Sequence, residues 1–219
     1  MTMNRPAPDV IDLTHFISST MPVFPGTEPP AITDAFTIER NGFAEKMLRL
    51  VSHTGTHIDA PGHILPGAAR LDGMAADRFL GPGLVLDVSA VRERTIGVND
   101  ILHYEAELRR VDFALLLTGW ARFWGAAEYF GPYPVLSPSA AQWLADFGLK
   151  GLGVDAISVD EVDSTALVVH RTLFAKDMVI IENLAGLESL IGKGFIFTCL
   201  PLKIVDADGS PIRAVAIVK

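Results

Sequence analysis

Cysteine is almost absent from this 219-residue sequence: Cys199 is the single one, so no disulfide can form within the chain. We expect its thiol to be buried as a small hydrophobe. Long apolar runs are absent too, because the runs at 113–117, 178–181 and 195–197 are far shorter than the ~20 residues of a membrane-spanning helix. No apolar signal region follows the first six residues. We therefore expect a cytoplasmic protein with no membrane partner.

Positive charge is also scarce, with 18 Lys and Arg against 26 Asp and Glu, a net charge of −8 and a pI near 5.2. An acidic surface repels phosphate backbones, which argues against nucleic acid as a partner. The segment Gly151-Leu152-Gly153 lacks the third glycine of a dinucleotide-binding loop. No serine-centred nucleophile motif occurs, which disfavours serine-hydrolase chemistry.

Hydrophobic residues, by contrast, are plentiful at 49%, enough for one well-filled core. We predict a single domain spanning residues 1–219. The mean hydropathy of +0.33 is high for a soluble protein. Such an apolar surplus can mark a buried subunit interface, and we expect a homodimer or a higher homo-oligomer.

Strand-like runs outnumber helix-like ones. Strands are predicted at 46–52, 84–89, 111–118, 153–159, 178–181, 195–205 and 212–218, with a turn at 206–211 that makes the last two an antiparallel hairpin. Helices are predicted from Asn99 to about Arg110, from Ser137 to Gly148 with Pro138 at the first position, and at 185–191. The imperfect interleaving favours a mixed α/β domain over a regular parallel sheet.

Three of the six histidines lie in one short segment, which reads His53-Thr54-Gly55-Thr56-His57-Ile58-Asp59-Ala60-Pro61-Gly62-His63. The β-branched residues, Gly55 and Pro61 argue against a helix there. A turn at Gly55 followed by an extended stretch would point His57 and Asp59 the same way and let His53 rejoin them. Two imidazoles and a carboxylate are ligands that a divalent metal such as zinc prefers. His63 would be a fourth ligand or an acid/base group.

This segment resembles the signature of the cyclase-like metal hydrolases, the family that includes bacterial kynurenine formamidase and isatin hydrolase. The resemblance extends over most of the chain, from Asp12-Leu13-Thr14-His15 through Met21-Pro22-Val23-Phe24-Pro25-Gly26, Thr118-Gly119-Trp120 and Gly153-Val154-Asp155 to His170-Arg171 and Glu182-Asn183-Leu184. It implies a compact α/β domain of the swivelling β/β/α type, with a barrel-like, mixed β core flanked by helices. It also implies a subunit assembly that is dimeric or larger.

The resemblance further implies a set of site residues. His53, His57 and Asp59 would hold one ion, and Asp59, His170 and Glu182 a second, with Asp59 bridging. Zn²⁺ is the expected metal, as one or two ions, and a single Mn²⁺ is the alternative. His63 matches the family's proton donor and acceptor. Phe24 stands where kynurenine formamidase has Trp, so it would stack on a substrate ring without an indole N–H donor.

These features together predict an arylformamidase-like hydrolase that cleaves the C–N amide bond of N-formylkynurenine, a related aryl formamide or a cyclic amide, using metal-activated water and His63. Two alternatives stay open: a metal-dependent cyclase or lyase acting on a small carbonyl compound, and a member that binds metal or ligand without catalysis. Outside the signature, His15 is expected to be structural or to support a ligand, and the acidic stretch from Asp155 to Asp163 to be a solvated loop, unless Asp160 borders the site.

Overall fold

Short strands form most of the framework of the chain, whose computed structural model describes residues 9–91 and 93–218. The strands are β1 (Asp9–Asp12), β2 (Ala31–Phe36), β3 (Glu45–Arg49), β4 (His57–Asp59), β5 (Leu80–Asp87), β6 (Thr95–Ile96), β7 (Phe113–Leu117), β8 (Val135–Leu136), β9 (Gly151–Val154), β10 (Val179–Glu182), β11 (Phe195–Thr198), β12 (Gly209–Pro211) and β13 (Val215–Val218). The α-helices are α1 (Ile38–Asn41), α2 (Val98–Ile101), α3 (Glu105–Leu108), α4 (Pro138–Ala145) and α5 (Val168–Phe174). The expectation about a signal region falls on residues outside this description.

The main sheet is mixed and curls into a half-barrel flanked by helices, as predicted. Its strands run in the order β1-β13-β11-β5-β7-β9-β10-β4-β12. The four central strands, β5, β7, β9 and β10, are parallel, and both flanks are antiparallel. Every residue of β7, β9 and β10 is buried, as expected where a parallel sheet is covered on both faces.

Hydrophobic cores lie on both faces of this sheet, because side chains alternate along each strand. On β7, Leu116 points into the core beneath helices α4 and α5, whereas Leu115 points into the opposite core. The core under the helices also receives Leu144 and Leu173. The central strands are therefore clamped from both sides, which makes them a rigid support for groups at their ends.

A two-stranded hairpin, β2 with β3, projects from this body. All of its strand residues except Ile32 are exposed in the single chain, including Met47 at 60% and Leu48 at 58%. The strand predicted at 46–52 thus exists, but it belongs to this hairpin and not to the main sheet. The strands predicted at 84–89, 111–118, 178–181 and 212–218 are confirmed with shifted ends. Those predicted at 153–159 and 195–205 are wrong in part, because β9 ends at Val154 and β11 ends at Thr198.

One predicted helix is confirmed and two are wrong in part. The Ser137 hydroxyl accepts the N–H of Ala140 at 3.1 Å and caps α4, with Pro138 in its first turn. The predicted helix from Asn99 is divided into α2, a 3-10 turn at Leu102–Tyr104 and α3. It begins after Gly97, whose N–H is bound by the Asp100 carboxylate at 2.7 Å, so Asn99 is not the cap. The third helix is only a 3-10 turn at Leu187–Leu190.

The predicted hairpin of the last strands has the right pairing and the wrong turn. Strands β11 and β13 are antiparallel neighbours. The residues predicted as their turn contain strand β12, which crosses to the far edge of the sheet and pairs with β4. The strand was not predicted because the residues from Asp206 to Pro211 are mostly of types that favour turns. Cys199 is buried, as expected, and within the described ranges no helix has the length and apolarity to cross a membrane.

Candidate active site

The segment from His53 to His63 folds as its residue types predict. Gly55 adopts a φ of 66°, in the left-handed region that glycine tolerates, and turns the chain into strand β4. Pro61 then opens a single 3-10 turn that ends at His63. The bend returns His53 toward the strand, so its Nδ1 lies 2.6 Å from Asp59 Oδ1, and His57 Nε2 lies 3.3 Å from the same oxygen.

Strand register brings the distal residues to the same place. His57 is directly opposite Glu182 across the β4–β10 pair. The Glu182 carboxylate lies 3.4 Å from His57 Nε2 through one oxygen and 3.4 Å from His170 Nε2 through the other. The predicted ligands thus form two groups that share Asp59: His53, His57 and Asp59, and Asp59, His170 and Glu182.

The donor set fits a divalent cation. Asp59 Oδ1 is buried and accepts no hydrogen bond from the described residues, although two imidazole nitrogens lie beside it. The separations of 3.3 Å between His57 and Asp59 and of 3.4 Å from Glu182 to His57 and to His170 match the about 3.3–3.6 Å expected between ligand atoms that each lie about 2.0–2.2 Å from a tetrahedral ion. Nitrogen and carboxylate donors together suit zinc and also manganese.

The electrostatics point the same way. Burial acts to lower the pKa of His53, but the neighbouring carboxylates, chiefly Asp59, outweigh it and raise this pKa to about 9. Burial also acts to lower the pKa of His170, but Asp160 and Glu182 raise it to about 10. Burial also acts to raise the pKa of Asp59, yet the histidines hold it well below its usual range. The pocket therefore has excess negative charge, which protons on the imidazoles or a cation would neutralise.

Asn183, which follows Glu182, supports this group from behind. Its Nδ2 donates to the Gly55 carbonyl at 2.8 Å, and that carbonyl also accepts His57 Nδ1–H at 2.8 Å. The Tyr129 hydroxyl donates to Asn183 Oδ1 at 2.6 Å. These bonds place the proton of His57 on Nδ1 and leave Nε2 free as a ligand atom. Asn183 and Tyr129 were not predicted to have such a role, because their partners are distant in the chain.

Two carboxylates of the acidic stretch, those of Asp155 and Asp160, are buried and are not part of a solvated loop. Asp160 is buried, and its carboxylate accepts the ring Nδ1–H of His170 at 2.7 Å and the backbone N–H of Val169 and His170. This contact confirms that Asp160 borders the site. Asp155 is buried too, and it accepts the backbone N–H of Thr118 and Gly119, which ties the ends of β7 and β9 together. The solvated-loop prediction was wrong for both, because a run of acidic letters does not show which side chains turn inward.

His15 has a structural environment. Its ring stacks on Trp124 with centroids 3.9 Å apart and planes within 4°, and its backbone N–H donates to the Thr56 hydroxyl at 3.0 Å. Burial lowers the pKa of His15 to about 4, so the ring is neutral. His15 contacts the segment His53–His63 through its backbone and not through its imidazole.

Asp208 is a carboxylate at this site that was not among the predicted site residues. Its Oδ2 lies 3.0 Å from His53 Nε2 and 3.1 Å from His63 Nδ1. Burial acts to raise the pKa of Asp208, but the hydrogen bonds to His53 and His63 hold it well below its usual range. His63 is thereby held beside the ligand group, with its ring centroid 4.0 Å from that of His53.

A cavity of about 580 Å³ opens onto these residues, a size that suits a small molecule. Its polar lining includes His63 and all five predicted ligands, and its apolar lining includes Phe24, Val51, Ile157 and Leu167. Phe24 is 42% exposed and therefore accessible to a ligand. The structure brings every sequence-predicted site residue to this one cavity.

Known proteins resemble this chain over nearly its whole length. The model of the Cyclase family, described as "Putative cyclase", matches residues 11–161. Kynurenine formamidase of Salinibacter ruber is 33% identical over 214 residues, covering 94% of this chain and 96% of the relative. Kynurenine formamidase of Bacillus mycoides is 31% identical over 206 residues, covering 94% and 95%. Isatin hydrolase A from Labrenzia aggregata, solved with benzyl benzoate, has a TM-score of 0.86 at 25% identity and covers 96% of this chain and 93% of its own.

Proposed function

The chain belongs to the cyclase family, and from that premise we propose that this hydrolase cleaves the C–N bond of an aryl formamide or a related cyclic amide. Metal-dependent amide hydrolysis is the function that its relatives and its site support together. One observation carries the proposal: two ligand groups share Asp59 and face, with His63, a cavity lined by Phe24. N-formylkynurenine is the proposed substrate type, which would place the enzyme in tryptophan catabolism.

We propose two zinc ions, with manganese as the substitute. His53, His57 and Asp59 would hold the first, and Asp59, His170 and Glu182 the second. A divalent metal bound there makes water nucleophilic at neutral pH and polarises the carbonyl that is attacked. Asp160 and the Gly55 carbonyl support the proposal, because each accepts the proton of a ligand imidazole on the nitrogen that faces away from the ion.

His63 would move the proton of the reaction. Its Nδ1 is held by Asp208, and no described residue bonds its Nε2, which is left for substrate. In the proposed step a C–O bond forms as Nε2 takes a proton from the attacking water. The C–N bond then breaks as the same proton goes to the leaving nitrogen, giving formate and an amine from a formamide. Phe24 would stack on the aryl ring and orient it.

Formate release tests this function. Purified chain loaded with zinc or manganese is expected to release formate from N-formylkynurenine or to open the ring of isatin, and to lose this activity after chelation. Zinc added back to the chelated sample, with magnesium as the control ion, should restore it. Turnover of a carbonyl compound without C–N cleavage would favour a lyase or cyclase instead, and metal uptake without turnover would favour a binding protein.

We also propose that the chain forms a homodimer or a higher homo-oligomer. An isolated two-stranded hairpin is marginally stable in water. Here β2 and β3 expose Met47 and Leu48 on opposite faces of such a hairpin. A second copy of the chain would cover one of these two faces and stabilise the projecting hairpin.

A further inference from the structure

We propose that Asp208 is a positioning residue that orients the metal ligand His53 and the proton-transfer residue His63 through a single carboxylate oxygen. This inference deepens the proposed function and rests on it. Asp208 is not among the residues that line the cavity. It therefore acts on the reaction through the two histidines it contacts, and not by touching the substrate.

The contacts define which ring nitrogens carry protons. Oδ2 of Asp208 is 3.0 Å from His53 Nε2 and 3.1 Å from His63 Nδ1, so both nitrogens donate N–H to it. The Ser52 hydroxyl donates to the other oxygen, Oδ1, at 3.0 Å and holds the carboxylate in place. His53 thereby presents Nδ1 toward Asp59, and Nε2 of His63 has no partner among the described residues. A metal ligand needs a ring nitrogen directed at the ion, as Nδ1 of His53 would be, and an acid/base group needs an unbonded nitrogen for the proton, as Nε2 of His63 is.

The backbone around Asp208 places its carboxylate close to His53 and His63. The Asp208 carbonyl accepts the N–H of Ala60 at 2.8 Å, and the following residue, Gly209, pairs with Asp59 across β12 and β4. A Cβ on Gly209 would lie 2.6 Å from His53 Cε1, closer than side chains pack. Strand β12 therefore approaches His53 as closely as a glycine permits, and this approach brings the Asp208 carboxylate within hydrogen-bonding distance.

Zinc affinity tests the link to His53 without any need for turnover. In a chelator-competition titration of the full chain, D208N is expected to bind zinc about 10–100-fold more weakly than wild type, with the number of ions per chain unchanged. D206N is the matched control, since Asp206 is two residues away and pairs with Arg70. An unchanged affinity in D208N would overturn the proposal. So would the loss of one zinc ion, because Asp208 would then be a ligand itself.

Kinetics test the link to His63. At saturating zinc, D208N is expected to lower kcat on N-formylkynurenine at least about tenfold with little change in KM, because misorientation affects proton transfer and not substrate binding. In the H63A background the same substitution should lower kcat no further. A full additional loss in the double variant would overturn the link.

A milder variant covers the case in which D208N does not fold. S52A removes only the hydrogen bond to Asp208 Oδ1, and a smaller loss of zinc affinity and of kcat in the same direction is expected. Wild-type values for both quantities in S52A would count against the proposal. If wild type itself turns over no amide, the proposed function fails, while the zinc titration still decides whether Asp208 orients His53.

Discussion

At the scale of single residues, Asp59 differs from its neighbours in that one oxygen is buried and accepts no hydrogen bond from the described chain, while two imidazole nitrogens lie within 3.3 Å of it. Asp160 and Asp208 have the opposite character, because their oxygens accept hydrogen bonds from N–H groups and, at Asp208 Oδ1, from the Ser52 hydroxyl. The first kind of carboxylate is free to bind a cation, and the second kind is committed to holding ligands in place.

Metal content follows from this difference. We expect D59N to lose both zinc ions, because the proposed bridging carboxylate serves both, and E182Q to lose one. Elemental analysis of dialysed protein gives the ratio of zinc to chain. Unfolding curves of metal-free samples provide the control for folding. D59N that keeps two ions per chain would remove Asp59 from the bridging position.

His63 should affect turnover and not metal content. We expect H63A to lower kcat by about 10²–10⁴-fold, the usual contribution of a general acid/base group, with zinc content unchanged. The measurement is formate release together with metal analysis on the same preparation. H103A is the matched control, since His103 is an exposed histidine outside the cavity. Full activity in H63A would exclude the proposed proton transfer.

At the scale of elements, the site depends on strand β12, which lies within the residues predicted as a turn. The cluster at His53–His63 was recognisable because its ligands lie within one segment, and the resemblance added His170 and Glu182. Asp208 was not recognisable, because its role depends on the pairing of β12 with β4, which joins residues far apart in the chain. Helix α4 was predictable for the opposite reason, since Ser137 and Pro138 act on their own neighbours.

Strand β12 gives a prediction of its own. We expect G209A to weaken zinc binding about tenfold or more, because the added methyl group would lie 2.6 Å from the His53 ring and displace this ligand. G194A is the control, since a Cβ there meets nothing within 4 Å. Both variants are compared by chelator-competition titration. Equal affinities for zinc would show that β12 does not hold His53 in place.

At the scale of the whole molecule, the buried central strands and the projecting β2–β3 hairpin differ in how far the sequence predicts them. The parallel strands β7, β9 and β10 are buried on both faces, and the end of β10 brings Glu182 and Asn183 to the site cavity. Buried strands of this kind were visible as apolar runs, whereas the outward position of the β2–β3 hairpin was not. Alternation predicts a strand but does not say whether another element covers it.

That hairpin supports the last prediction, which concerns assembly. In register, Leu48 is opposite Ile32, while Met47 is opposite Thr33 on the other face. If a second copy covers the Leu48 face, L48E would bury a charge in the interface and shift the protein to a smaller species, because an unpaired buried charge is strongly destabilising. Light scattering after size-exclusion chromatography measures the mass of each variant. T33E adds the same charge on the opposite face and serves as the control. A wild-type chain that is monomeric at micromolar concentration would contradict the proposed assembly, and a loss of mass in T33E alone would assign the interface to the Met47 face.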